Sequence, residues 1–260
     1  MSQVAHTSFY AMGTRCNIVL PAMDDDEADV IFRHIRHEIA RIEGKLSRFV
    51  QDSAISVVNA GAATSPVTVD DEIWQVLSVC KDYFAKTWGS FDITLRPILQ
   101  HWRENPRGDA AVLAELLTRI GTDKITLDPA TQSVSFENES IEIDLGGFGK
   151  GYALEKIDQM LQRFGVAAIF VSLGESSVLT RGHHPAGDHW KVGIKSFLNA
   201  EETMHTFDMK NASVSTSANF YTDDAGNRIN HRHVIDPKTG CPVESLISVS
   251  VFADSALKAE

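Results

Sequence analysis

From Ala28 onward, apolar residues recur at intervals of three and four: Ile31, Ile35, Ile39, Ile42, Leu46 and Phe49. That is the period of a helix, and the acids of residues 24–27 stand where a helix dipole favours them. A long amphipathic helix is predicted, with His34 and His37 on its solvated face. "DDEIWQVLSVCKDYFAKT" predicts a second helix, "GSFDITLRPILQHW" a short strand or turn after Gly89, and "DAAVLAELLTRIG" a weaker helix. The aromatic and β-branched run "SFYAMGTRCNIVLPA" reads as a strand that stops at Pro21. In "KITLDPATQSVSFENESIEIDL" apolar and polar residues alternate on both sides of turn-forming clusters, as in an antiparallel hairpin. Helices and strands are thus mixed without a regular β-α-β alternation, and the fold class expected is α+β with antiparallel sheet. Without a repeat, low-complexity block or long linker, residues 1–260 are expected to form a single domain, with two lobes left open.

The stretch "IEIDLGGFGKGYALEKIDQML" joins a strand pattern to a helix pattern. Ile141, Ile143 and Leu145 share one face, with Glu142 and Asp144 on the other. Ala153, Leu154, Ile157, Met160, Leu161 and Phe164 form a helical stripe ending at Gly165. Gly146, Gly147, Gly149 and Gly151 are then expected in the turn between them. A bare strand-to-helix turn is either a tight structural connection or a cradle for phosphate oxygens, to which Lys150 would add positive charge. The spacing matches neither the P-loop nor the dinucleotide fingerprint.

Residues 216–243, "TSANFYTDDAGNRINHRHVIDPKTGCPV", are polar and turn-rich. Asp236-Pro237 and Thr239-Gly240 predict a turn just beyond His233. An imidazole there can act as a general base, with Asp236 available to orient it, or be an ordinary surface histidine. His231 shares a strand face with His233, but no third ligand at metal spacing accompanies the pair.

Composition narrows the choice of ligand. Thirty-five acids against 24 bases give a net charge of −11, which speaks against a phosphate backbone as partner, so no nucleic acid is expected. Forty-three per cent hydrophobic residues supply a core, and no run is long enough to span a bilayer. Cys16, Cys80 and Cys241 have neither metal spacing nor a disulfide pattern, which fits a reducing compartment. With no signal-peptide pattern at the start, a cytoplasmic location is expected, or a periplasmic one if an export signal was trimmed.

"AMGTRCNIVL", "LSRFVQDSAISVVN", "GSFDITLRPIL", "IDLGGFGKGYALEKI", "VSLGESSVL", "HWKVGI", "STSANFYTD" and "HRHVIDPKTGCPV" stand in one order along the chain. In order and spacing they resemble the ApbE-type FAD:protein FMN transferases, from Met12 to the last residue. The resemblance implies a T-fold-like α+β architecture with an FAD cleft between lobes. It implies transfer of FMN from FAD, the substrate, to a Thr or Ser hydroxyl of an acceptor flavoprotein, with AMP released. His233 would take the hydroxyl's proton. Met12, Phe49, Ser90, Phe91, Asp92, Asp144, Lys150 and Val234 would contact FAD, and Mg2+ would be held by the main-chain carbonyl of Gly147 and by Glu260. Without the resemblance, Met12, Phe49 and Phe91 read as core residues.

Three departures from the family pattern stand out. Glu175 and Ala218 replace glycines common after "LG" and "TS", and Glu260 stands at a family metal-binding Asp, the further ligands lying beyond the chain given. The resemblance therefore also leads us to expect a domain lacking its C-terminal end. Two other functions share the same motifs: FAD binding or delivery without catalysis, and FAD pyrophosphatase activity giving FMN and AMP.

Overall fold

The computed structural model describes residues 4–196, 202–222 and 227–260; Asp223 and Asp224 of the polar stretch lie outside them. The chain opens with strands β1 (Val4–Ala11) and β2 (Thr14–Pro21), helices α1 (Asp25–Leu46) and α2 (Ala54–Gly61), and strand β3 (Val67–Thr68). Helices α3 (Asp71–Lys86), α4 (Arg96–Glu104) and α5 (Ala110–Arg119) follow, then strands β4 (Ile125–Asp128) and β5 (Ser133–Phe136). After helix α6 (Gly149–Arg163) come β6 (Ile169–Leu173), β7 (Ser177–Arg181), β8 (Trp190–Lys195) and β9 (Thr203–Met209). Strands β10 (Ala212–Ala218), β11 (Phe220–Thr222), β12 (Arg228–Asn230) and β13 (Ser248–Ala253) precede the short helix α7 (Ala256–Ala259).

These elements form two compact units: Met1–Glu43 with Phe148–Ser217 and Val249–Glu260, and Gly44–Gly147 with Ala218–Ser248. The first carries a six-stranded sheet in the order β1-β2-β6-β7-β10-β13, with β8 and β9 paired separately. Its core comprises the stripes of α1 and α6 and the inward side chains of β2 and β6, including Ile18, Leu20, Ile35, Ile39, Leu154 and Val171. A second cluster joins Val178, Val214, Met209 and Trp190. The other unit carries the three-stranded sheet β3-β5-β4 and the pair β11-β12. There Ile235 packs with Ile98, Leu113 and Ile120 from the α4–α5 region. The α+β class and antiparallel pairing expected of the sequence are what the fold has.

Several local expectations change. The run predicted as one strand is the hairpin β1–β2, because Met12 (φ 51°) and Gly13 (φ 70°) are both left-handed and reverse the chain in two residues. Helix α1 ends at Leu46, so Phe49 leaves the apolar stripe and is 81% exposed. Helix α2 had no long periodic signal; it is short, capped by Ser53 Oγ accepting from Ser56 N at 3.0 Å, and buries Ile55 and Val58. "IEIDL" keeps its alternating burial but joins no sheet. The amide side chain of Asn59 stands in for a neighbouring strand, accepting from Ile143 N at 2.8 Å and donating to Ile143 O at 2.9 Å.

The β6–β7 connection explains one departure from the family pattern. Glu175 occupies a left-handed position, φ 60°, directly after Gly174 at φ 66°. A left-handed residue with a Cβ is strained by about 1–2 kcal/mol, against about 0.4–1 kcal/mol of added unfolded-state entropy for glycine. Glu175→Gly is therefore expected to stabilise the protein by about 0.5–1 kcal/mol, measured by urea unfolding.

Candidate functional site

His233 lies on an irregular segment anchored from several sides. Two residues on, Ile235 is buried among α4 and α5 side chains and forms a lone bridge with Pro242. The predicted turn follows: Asp236 N donates to Cys241 O at 2.9 Å and Gly240 N to Asp236 O at 2.8 Å. Trp102 Nε1 reaches across from α4 to Gly240 O at 2.7 Å. Val234, proposed from the resemblance as a ligand contact, is half-buried and held by Val243 N donating to its carbonyl at 2.9 Å.

One buried side chain ties this segment together, and sequence reasoning missed it. Asn219, 1% exposed, donates from Nδ2 to Val243 O at 2.9 Å and Ser245 O at 2.7 Å, and accepts from Ile247 N at Oδ1 at 2.9 Å. Its backbone carbonyl accepts from His231 N at 2.7 Å. The signal was present, an Asn between two strand patterns in "STSANFY", but such a residue reads equally well as a surface turn.

The His233 ring itself is solvent-accessible and, among the described residues, makes no side-chain hydrogen bond. Partial burial lowers its pKa below the ordinary 6.5, and the nearby His231 lowers it further. The imidazole is thereby biased toward its neutral, proton-accepting form. Asp236 does not orient it: its Oδ1 accepts from Lys238 N at 2.9 Å and so caps the turn.

A second group of candidate residues in the same unit centres on Asp144. Asp144 N donates to Ile93 O at 2.8 Å, which brings the "IDLGG" and "SFDI" segments together. Its Oδ2 accepts from Arg48 Nε at 2.7 Å and its Oδ1 from Gly146 N at 2.9 Å. Arg48 also stands 3.8 Å over the ring of Phe49, a cation–π contact that ties that exposed ring to the carboxylate. Arg48 too was missed; it sits inside a quoted motif but carries no pattern of its own. Ser90 is exposed after the left-handed Trp88 and Gly89, and the Phe91 ring packs edge-on to Tyr83 at 6.1 Å. Asp92 Oδ1 accepts from Thr94 N at 2.8 Å, Thr94 Oγ1 at 2.7 Å and Thr122 Oγ1 at 2.8 Å.

The glycine stretch is not a single turn. Gly149 and Gly151 already belong to α6, while Gly147 is exposed with open space where a Cβ would stand. In the first unit Gly151 is bare because α7 crosses it: a Cβ would lie 2.4 Å from the Glu260 Cβ and 2.9 Å from Ala256 O. A Cβ on Gly149 would meet Met12 Cε at 3.3 Å, so Met12 is drawn to this helix from its hairpin turn.

Lys150 and Glu260 meet directly, Nζ to Oε1 at 2.6 Å, with the Glu260 side chain 6% exposed. Ser177 and Ser215 donate to Oε2 at 2.7 and 2.8 Å. Both oxygens are therefore satisfied by an ammonium and two hydroxyls. As placed, this carboxylate does not fit a magnesium ion, which would have to displace Lys150. Among the described residues no group of three or more His, Cys, Asp or Glu is arranged to hold a metal.

The model of the ApbE family matches residues 12–260. The chain belongs to the ApbE family. It is 28% identical to a FAD:protein FMN transferase of Klebsiella pneumoniae, an alignment covering 96% of this chain and 74% of the relative. The FAD:protein FMN transferase of Escherichia coli K12 is 26% identical over the same shares. Among solved structures, the ApbE protein of Thermotoga maritima superimposes with a TM-score of 0.86 at 26% identity, over 99% of this chain and 84% of that one. The apo flavinyl transferase ApbE of Pseudomonas stutzeri gives 0.83 at 22% identity, over 99% and 82%, a likeness of fold.

Replacing Asn219 by Ala would remove the donors to Val243 O and Ser245 O and the acceptor of Ile247 N together, and would empty a side-chain site that is 1% exposed. Asn219→Ala is expected to lower stability by about 2–4 kcal/mol, read by urea unfolding, and to speed amide exchange at Ile247.

Proposed function

We propose that this chain moves FMN from FAD to a Thr or Ser hydroxyl of a separate acceptor flavoprotein, leaving a phosphoester and releasing AMP. Membership of a family whose relatives are named for this transfer supports the reading. The observation that carries it is His233: accessible, free of side-chain hydrogen bonds among the described residues, and biased to the neutral form on an anchored segment.

In this reading the acceptor oxygen attacks the FMN-side phosphorus of FAD while its proton passes to a ring nitrogen of His233. The new O–P bond forms as the bond from that phosphorus to the bridging oxygen breaks, and AMP leaves with that oxygen. Phe49, Ser90, Phe91, Asp92, Asp144 and Val234 are the proposed FAD-binding residues of the unit that bears His233. Met12 and Lys150 are proposed on the family resemblance alone. Arg48 joins them as the cation that sets Asp144 and Phe49 in place.

Magnesium is the finer part of the reading and rests on the family resemblance alone, which implies the Gly147 carbonyl and Glu260 as its ligands. The present hydrogen bonding of Glu260 does not support it as placed, and no step is routed through a metal.

Intact-mass analysis of an acceptor flavoprotein domain incubated with this chain and FAD is expected to show the gain of one FMN phosphoester. His233→Ala is expected to slow that gain by about 10²–10⁴-fold; an unchanged rate would remove His233 from the mechanism. Free FMN and AMP without modified acceptor would indicate hydrolysis, and bound but unconsumed FAD a carrier. Because the folded pKa of His233 is depressed, the base is already mostly neutral at pH 6.5. Transfer is expected to persist at that pH and to fall away only at lower values, as a pH–rate profile would show.

A further inference from the structure

A second imidazole stands beside the first. The rings of His231 and His233 lie 5.6 Å apart between centroids at 86°, edge to face. Regular strand geometry does not produce this pairing, because the intervening Arg232 is left-handed at φ 52°. Such a conformation is unfavourable for a residue with a Cβ and persists only where its surroundings over-determine it. Here they do: Arg232 N donates to Asn230 Oδ1 at 2.7 Å, Arg232 Nη1 to Pro106 O at 3.0 Å, and His231 N to Asn219 O at 2.7 Å. Strained backbone, a buried amide and a guanidinium thus converge on the relative placement of two rings.

We propose that His231 is a positioning residue for His233, holding its ring edge-on and setting a second protonatable ring against it. The inference rests on the reading of His233 as the base. A positive charge on the neighbouring ring opposes protonation of His233, because like charges this close repel.

Among the described residues, several other charges near His233 have partners of their own. On its own segment, Arg232 reaches the Pro106 carbonyl and, at 3.9 Å, Glu244, while Asp236 caps the turn at Lys238. The last turn of α4 and the connection to α5, against which the segment rests, carry Arg103, Glu104, Arg107 and Asp109; Glu104 Oε1 accepts from Gln100 Nε2 at 2.8 Å and Asp109 Oδ1 from Ala111 N at 2.9 Å. None of these perturbs His233 as its own burial and His231 do.

The test is NMR titration of the His233 ring alongside the pH–rate profile of transfer, in the wild type, His231→Asn and His231→Lys. With Asn the charge is gone, and the His233 midpoint and the acid limb of the rate are both expected to move to higher pH, with the alkaline plateau kept. With Lys the charge is permanent, and both are expected to move to lower pH. A merely structural role would lower the rate at every pH and leave the His233 midpoint where it was; an unmoved midpoint in both variants overturns the inference. A midpoint that moves while the rate profile does not would uphold the coupling of the rings and reject His233 as the base.

Discussion

Irregular backbone must still find partners for its N–H and C=O groups, and that requirement governs the segment carrying His233. Where a sheet would supply them in rows, this unit uses the side chain of Asn219, which bonds Val243, Ser245 and Ile247 while its own carbonyl receives the His231 amide. The turn after His233, the bridge to Pro242 and the bond from Trp102 then fix what the amide has gathered. An imidazole set on this foundation can remain accessible without being loose. Its freedom from side-chain hydrogen bonds among the described residues is compatible with order because the backbone on both sides of it is held.

Asn59 applies the same device elsewhere in that unit, matching both backbone groups of Ile143. It allows the apolar side chains of "IEIDL" to be buried with strand periodicity although the segment joins no sheet. Two amide side chains, separated by most of the unit's sequence, thus replace ladder pairing at the places where the chain must stay irregular.

Long periodic segments were legible: α1, α3, α5 and the hairpin β4–β5 follow from spacing and turn chemistry. What escaped were features decided by one or two dihedral angles. The left-handed Met12 turned a predicted strand into a hairpin, and the end of α1 at Leu46 moved Phe49 from the core to solvent. The motif order led to His233 and Asp144, but of the residues that hold them Arg48 lies 96 residues from Asp144, and neither it nor Asn219 forms a local pattern. The glycines were legible as bare backbone, though not the reason for each. Gly151 is bare for the passage of α7, whereas Gly147 faces open space. Spacing alone cannot separate the glycine that packing requires from the one it does not.

The tether on Asp92 has a further consequence. Three donors from Thr94 and Thr122 converge on its Oδ1, so the carboxylate cannot rotate without giving up all three. If Asp92 contacts FAD as proposed, Oδ2 is the oxygen free of these three bonds, and their hold on Oδ1 sets its direction. A mobile carboxylate would accommodate a donor from almost any angle. In the proposed FAD-binding role this one would act as a gauge, rewarding an N–H or O–H group that arrives along one line and repelling an acceptor that arrives along the same path. Selectivity at such a position would reside in the pair of threonines that hold the acid still.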